Sequence, residues 1–225
     1  NLTKVDGDLA KLVAASIGVA TPTDVTETKQ TTSFKGKSIE SSPALSMEQP
    51  SQDSIKSRKV AILVADGVDA ADVNAVKTAL TAQGAVCEVI AKSLGSVSGA
   101  NGATVSVDKS AITTDSVMYD AVFVPGGARS ADALTAMPKA LYFIAEAYAH
   151  YKPIAASGDG VAVLKRAIVS AIQLSGAGTE GVASDLGVVS STESAAGNDF
   201  TGQFIAAIAQ HRFWDRPEQD QVPLV

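Results

Sequence analysis

The sequence predicts an α/β fold: a doubly wound, mainly parallel sheet with helices on both faces, preceded by one helix and an extended connection. Three observations carry that reading. From Arg58 onward, short apolar runs of strand length alternate with segments of helical spacing, the pattern of crossover units feeding a parallel sheet. Runs such as 60–65 (VAILVA) and 121–124 (AVFV) are apolar at successive positions, so both faces of each strand must be covered. These runs end in turns rich in Gly, Asp or Pro, which stop one element before the next begins.

Composition narrows the function classes. Apolar residues make up 46% of the 225, aromatics only 5%, and 38 residues are Ala, which suits helices packed closely on a sheet. A net charge of −6 without a basic stripe argues against a nucleic-acid partner. No apolar run approaches the ~20 residues a membrane span requires. Cys87 is the single cysteine, which excludes an intrachain disulfide and a Cys-rich metal site. His150 and His211 are the only histidines, leaving little for a His-based metal site or a catalytic dyad. The composition leans away from an enzyme.

Taken in order, residues 8–18 (DLAKLVAASIG) form one helix, with Asp8 as N-cap and Gly18 just past the C-terminus. Leu9, Leu12, Val13 and Ile17 share a stripe. A lone helix of this length is marginal in water, so its stripe needs a partner; the chain offers none, and the N-terminus reads as the tail of something cut away. Residues 21–57 hold 14 Ser/Thr, three Pro and seven apolar residues. Such a stretch cannot bury enough apolar area to offset its ordering entropy, so it reads as a linker. Its apolar knot at 42–47 (SPALSM) either docks on a neighbouring surface or stays a loose loop. The domain proper is 58–225.

Within that domain, 60–65 is the first buried strand. Residues 70–83 follow as a helix through Val73, Val76 and Leu80, stopped at Gly84. Residues 86–91 are a strand, and 96–98 pairs with 104–107 as a hairpin around Gly99-Ala100-Asn101-Gly102. The strand 121–124 ends in Pro125-Gly126-Gly127. Residues 130–150 are helical, with Pro138 opening a second helix at its first position. A short strand at 153–156 precedes a helix over 160–170. Strands around 172–174 and 188–189 lead to a last helix from about Phe200 to His211. This order is flavodoxin-like.

Ligands of such sheets sit beyond the carboxyl ends of the strands, which directs attention to 66–72, 125–129 and 157–160. Ser157-Gly158-Asp159-Gly160 lies where a nucleophile elbow would, but the elbow needs small residues two before and two after its nucleophile. Ser157 is flanked by Ala155 and Asp159, and no histidine falls near it, so its hydroxyl stays ordinary. Ser157 or Asp159 reads better as a helix N-cap. Pro125-Gly126-Gly127 could present N–H groups as an oxyanion hole, but without a nucleophile it reads as a tight turn. Gly176-Ala177-Gly178-Thr179-Glu180-Gly181 matches G-x-G-x-x-G literally, but no helical stripe follows to aim at a pyrophosphate, so it reads as a loop. Cys87 reads as a buried structural thiol. Asn1-Leu2-Thr3 is a glycosylation sequon that by itself assigns no compartment.

The segments 60–72 (VAILVADGVDAAD), 120–127 (DAVFVPGG) and 152–156 (KPIAA) resemble the DJ-1/PfpI superfamily, which shares the class I glutamine amidotransferase-like scaffold. The tail 204–216 (FIAAIAQHRFWDR), with 5–10 (VDGDLA) and 42–46 (SPALS), resembles the carboxy-terminal region of a large-subunit, haem-containing catalase. That resemblance covers essentially the whole chain. It implies that 1–20 is the end of the catalase helical region, 21–57 the connection and 58–225 the appended domain.

Active DJ-1/PfpI members carry a cysteine at the elbow apex, a glutamate in the first βα turn and often a nearby histidine. Here those positions fall on Gly158, on Asp72 and on nothing. The resemblance therefore implies a degenerate site at Asp72, Gly126, Gly127, Ser157, Gly158 and Asp159, with no catalytic residue, no metal and no haem in this chain. Haem would belong to the parent, which decomposes hydrogen peroxide to water and oxygen. The implied partners are the catalase core and sister subunits of a homotetramer, with unfolding client proteins as a second class through holdase activity. A cryptic hydrolase or glyoxalase is the third reading. Arg212, Phe213, Trp214 and Arg216 are the candidate interaction face. The compartment, cytoplasmic or secreted, stays open.

Overall fold

The computed structural model describes residues 2–4, 6–20, 54–168, 171–176, 181–196 and 199–217. The chain forms two units, residues 1–46 and 47–225. In the first, a 3-10 turn (Leu2–Lys4) leads into α1 (Gly7–Ser16). Its N-cap is Asp6 rather than Asp8: the Asp6 carboxylate accepts the N–H groups of Asp8 and Leu9 at 2.9 Å each. Asp6 has the extended backbone a cap requires, and Asp8, already helical, pairs with Lys11 one turn on. Gly18 takes the expected left-handed conformation, φ +67°. Leu9, Leu12 and Ile17 are exposed.

The second unit contains β1 (Lys59–Leu63), α2 (Ala70–Ala82), β2 (Val86–Ala91), the hairpin β3 (Gly95–Ser98) with β4 (Thr104–Val107), and β5 (Lys109–Ser110). A 3-10 turn (Ser116–Met118) then leads to β6 (Ala121–Val124), α3 (Ala128–Thr135), α4 (Pro138–Ala149), β7 (Ile154–Ser157) and α5 (Gly160–Ala167). The chain ends in β8 (Val182–Asp185), β9 (Val188–Ser191) and α6 (Phe200–Gln210). Seven strands form one sheet in the order β5-β2-β1-β6-β7-β9-β8. Every pairing is parallel except that of β8 with β9. Winding reverses between β1 and β6, the switch point where such sheets open a crevice.

Successive strand residues enter opposite layers. Ala61, Leu63, Val122, Val124, Ile154 and Ala156 pack with α3, α4 and α5. Val60, Ile62, Phe123, Ala155 and Val189 pack with α2 and α6. Phe123 is the largest side chain in the sheet's centre and meets Phe200 and Phe204 of α6 at ring distances of 5.8 and 6.3 Å.

Four expectations need correction. Residues 172–174 are not a strand: the Gln173 N–H bonds to the Asp185 carboxylate at 2.9 Å instead of entering a ladder. The outermost strand on that side is β8, in a stretch whose glycines suggest a loop. It pairs with β9 through Leu186-Gly187, both at positive φ (41° and 78°), a two-residue type I′ hairpin hidden by a leucine where Asn or Asp is usual. The two-residue β5, too short to leave a pattern, pairs with β2. Residues 54–57, expected in the linker, instead pack with the domain: Ile55 is buried in the α2–α6 core and the Ser57 N–H bonds to the Gly84 carbonyl at 2.8 Å. The knot at 42–47 and residues 177–180 of the glycine motif lie outside the described residues. Beyond Gly181 the chain enters β8, not a helix.

Candidate functional site

Three βα turns meet beyond the carboxyl ends of β1, β6 and β7, and glycine lets them approach. A Cβ on Gly127 (φ +111°) would lie 2.3 Å from the Gly67 carbonyl oxygen, and one on Gly160 would lie 2.4 Å from that of Val124. The Asp69 N–H bonds to the Gly126 carbonyl at 2.8 Å, holding the first turn to the second.

Asp72, in the first turn of α2, is 1% exposed. One carboxylate oxygen accepts the Ser157 hydroxyl at 2.5 Å and the Gly126 N–H at 3.4 Å. The other accepts the Ser194 hydroxyl at 2.5 Å and the Ala195 N–H at 2.9 Å. Four donors match the four lone-pair positions of a carboxylate. Each of its two oxygens thus accepts two hydrogen bonds from within the protein.

Ser157 is not the cap of α5. It is the last residue of β7, buried, with its hydroxyl committed to Asp72. Asp159 occupies the N-cap position without a side-chain capping bond, and its carboxylate accepts the Gly127 N–H at 3.3 Å instead. Gly158 stands at the apex with φ +50°. Its N–H is shared by the carbonyls of Ser191 at 2.8 Å and Glu193 at 3.2 Å. The N–H groups that could hold an oxyanion are thus occupied: Gly126 by Asp72, Gly127 by Asp159, Gly158 by carbonyls. The structure brings all six degenerate-site residues together. Ser194 and Ala195 complete the cluster and escaped the sequence reading, because nothing local marks a serine that closes on Asp72 from 122 residues away.

Neither histidine reaches this place. His150 lies 3.6 Å from Glu146 at the exposed end of α4. His211 lies 3.2 Å from Asp120, which precedes β6 at the opposite end of the sheet from Gly126. Cys87 is half-buried in β2, and burial pushes its thiol pKa up. A cleft of about 680 Å³ opens beside the ends of β1 and β2, lined by Asp66, Lys92, Leu94, Leu134 and Met137 among others. None of His150, His211 and Cys87 lines it. The cleft therefore presents neither histidine nor cysteine to a haem.

The candidate interaction face separates. Trp214 is 69% exposed and tilts against Tyr151, ring centres 5.2 Å apart. Phe213 is half-buried beside Gly187, where a Cβ would come within 2.2 Å of its ring. Arg212 is half-buried and donates to the His211 carbonyl at 2.9 Å. Arg216, expected on the same exposed face, is 3% exposed. Its guanidinium donates to the carbonyls of Leu186 (2.7 and 3.0 Å), Tyr148 (3.0 Å) and Lys152 (3.1 Å) and lies 4.6 Å above the Tyr148 ring. Burial pulls its pKa down to about 10, still cationic at neutral pH. Arg216 holds the α4 end and the β8–β9 turn together.

Comparison with known proteins bears on the fold and the family. Among solved structures, DJ-1 of Toxoplasma gondii superposes with a TM-score of 0.61 at 18% identity, covering 68% of this chain and 95% of that one. DJ-1 of Schizosaccharomyces pombe gives 0.58 at 17% identity, covering 66% and 96%. These likenesses show the fold. Catalase HPII of Mycobacterium avium is 39% identical across 99% of this chain and 30% of that protein. Catalase-2 of Bacillus subtilis is 34% identical across 95% and 28%. The chain therefore spans less than a third of the length of these relatives. Residues 56–218 match the family described as the C-terminal domain found in long catalases, and the chain belongs to that family.

Proposed function

We propose that this chain is the non-catalytic carboxy-terminal domain of a large-subunit, haem-containing catalase, and that it stabilises the enzyme and its homotetramer. The parent reaction would be the decomposition of hydrogen peroxide to water and oxygen, with the haem held by the catalase core. The observation that carries the non-catalytic reading is the Asp72 carboxylate, saturated by Ser157, Gly126, Ser194 and Ala195 beside an apex, Gly158, that has no side chain. A domain without chemistry acts through contacts. One that binds only the native assembly stabilises it by mass action, and a covalent tether supplies a high effective concentration. The catalase core and sister subunits are the partners in this reading.

The test on the chain itself is turnover. Ester, peptide and 2-oxoaldehyde substrates should give no rate above buffer, and Ser157→Ala should change nothing. Turnover that disappears in Ser157→Ala would restore the hydrolase or glyoxalase reading.

A second reading, a holdase that binds unfolding chains, is favoured by one observation. The connection between β2 and β6, where a doubly wound fold ordinarily places a helix, carries the exposed Leu94, Ile112, Val117 and Met118. Where such side chains form one contiguous patch they mark an interaction site. Light scattering of an aggregating client, with and without the chain, separates the readings: suppression favours the holdase, and unchanged scattering leaves the tethered role.

A further inference from the structure

We propose that, among the described residues, Met118 is the sulfur that reacts most readily with peroxide, and that its sulfoxide makes an exposed apolar site polar. Among the described residues, sulfur is carried by Cys87, Met118 and Met137. Met118 is 58% exposed beside Val117, at 77%. Val117 and Tyr142 in turn border a hollow of about 380 Å³.

The 3-10 turn that presents these side chains is fastened from below. The buried Lys152 ammonium donates to the Ser116 carbonyl at 2.7 Å, and Lys139 pairs with Asp115. The Met118 N–H bonds to the Asp115 carbonyl at 3.2 Å. Tyr119, buried, donates its hydroxyl to Glu88 at 2.6 Å. So anchored, the turn holds Met118 at the surface.

The other two sulfurs are poorer targets. A thiol reacts as thiolate, and the half-buried Cys87 is kept protonated by its burial. Met137 is half-buried against the α3–α5 core. A thioether needs no ionisation. Its sulfur lone pair attacks one oxygen of the hydroperoxide, an S–O bond forms as the O–O bond breaks, and the displaced hydroxide takes the proton left on the transferred oxygen. Methionine and hydrogen peroxide become methionine sulfoxide and water: sulfur loses two electrons and the peroxide gains them. The product is polar and chemically reversible.

The experiment exposes the whole chain to hydrogen peroxide and follows the peptides containing Met118 and Met137 by mass spectrometry. Met118 should oxidise measurably faster than Met137, in line with its greater exposure. Fluorescence of a hydrophobic dye should fall in step, recover with methionine sulfoxide reductase, and hold steady in Met118→Leu under the same treatment. The proposal is overturned if Met118 reacts no faster than Met137, if dye binding survives complete Met118 oxidation, or if Met118→Leu loses dye binding equally.

Discussion

Ser157 donates its hydroxyl to the Asp72 carboxylate at 2.5 Å, with both side chains buried. That bond ties the first βα turn to the turn after β7. Asp72 serves as a shared acceptor within the fold. Its partners come from three further segments: Gly126 after β6, Ser157 at the end of β7, and Ser194-Ala195 after β9.

Removing that acceptor should cost stability. In Asp72→Ala the four donors lose their common partner in a buried site, and orphaned donors cost about 1–3 kcal/mol each before relaxation or entering water. Urea unfolding should show a loss of about 3 kcal/mol or more. Asp72→Asn should lose less, since its amide oxygen still accepts two of the four. Equal midpoints for wild type and Asp72→Ala would mean the cluster holds nothing.

A cysteine restored at the apex should be tolerated but inert. In Gly158→Cys the new Cβ would lie 3.3 Å from Gly126 Cα, and the backbone is held at φ +50°, a left-handed cost of about 1–2 kcal/mol. The thiol would sit among carboxylates, Asp72 and Asp159, with no histidine to take its proton, so it stays protonated and unreactive. Iodoacetamide labelling should be no faster than for a free thiol. Accelerated labelling would reveal a charge environment other than this one.

Arg216 should matter more for folding than for recognition. Arg216→Ala strands the buried carbonyls of Tyr148 and Lys152 and the partly buried one of Leu186, and a loss of about 3 kcal/mol is expected. Arg216→Lys should recover only part of it, because a lysine cannot span these acceptors with a planar fork. Thermal melts of the two variants check both statements, and Trp214→Ala, exposed, should melt with the wild type.

His211 supplies a pH dependence with a definite sign. Burial, then Arg212 and Arg58, pull its pKa below the ordinary 6.5, and Asp120 opposes them. As pH falls through about 6.5 the unfolded chain therefore binds a proton the folded chain refuses, and stability is lost. Above that pH both states are neutral at this group and the effect vanishes. Unfolding midpoints at pH 7.5 and 5.5 should fall further apart in the wild type than in His211→Gln. Identical pH dependence in the two proteins would remove His211 from the account.

Much of the fold is legible in the residues, because buried parallel strands announce themselves as unbroken apolar runs and Gly84 and Pro138 punctuate the helices. What stays hidden has a physical cause in each instance. The hairpin of β8 and β9 turns on Leu186 at positive φ, a conformation no propensity assigns to leucine. Ile55 is one apolar residue in a polar stretch, and only the tertiary core draws it in. At the site, Gly158 and Asp72 are recognisable because they stand at marked turns. The pairing of Ser157 with Asp72 rather than with its own helix is a long-range choice. It follows from placing a buried carboxylate at the end of β7, where unsatisfied oxygen would cost more than a lost cap. Arg216 reads as a surface cation until three carbonyls are found around it.

The central claim, that the domain contributes stability and not chemistry, is tested most directly in the parent enzyme. Inactivation midpoints in heat should be measured for full-length protein and for a form cut after the linker, alongside peroxide turnover per haem before heating. The account predicts a lower midpoint for the truncated form at unchanged turnover per haem; equal midpoints, or turnover lost at once on truncation, would contradict it.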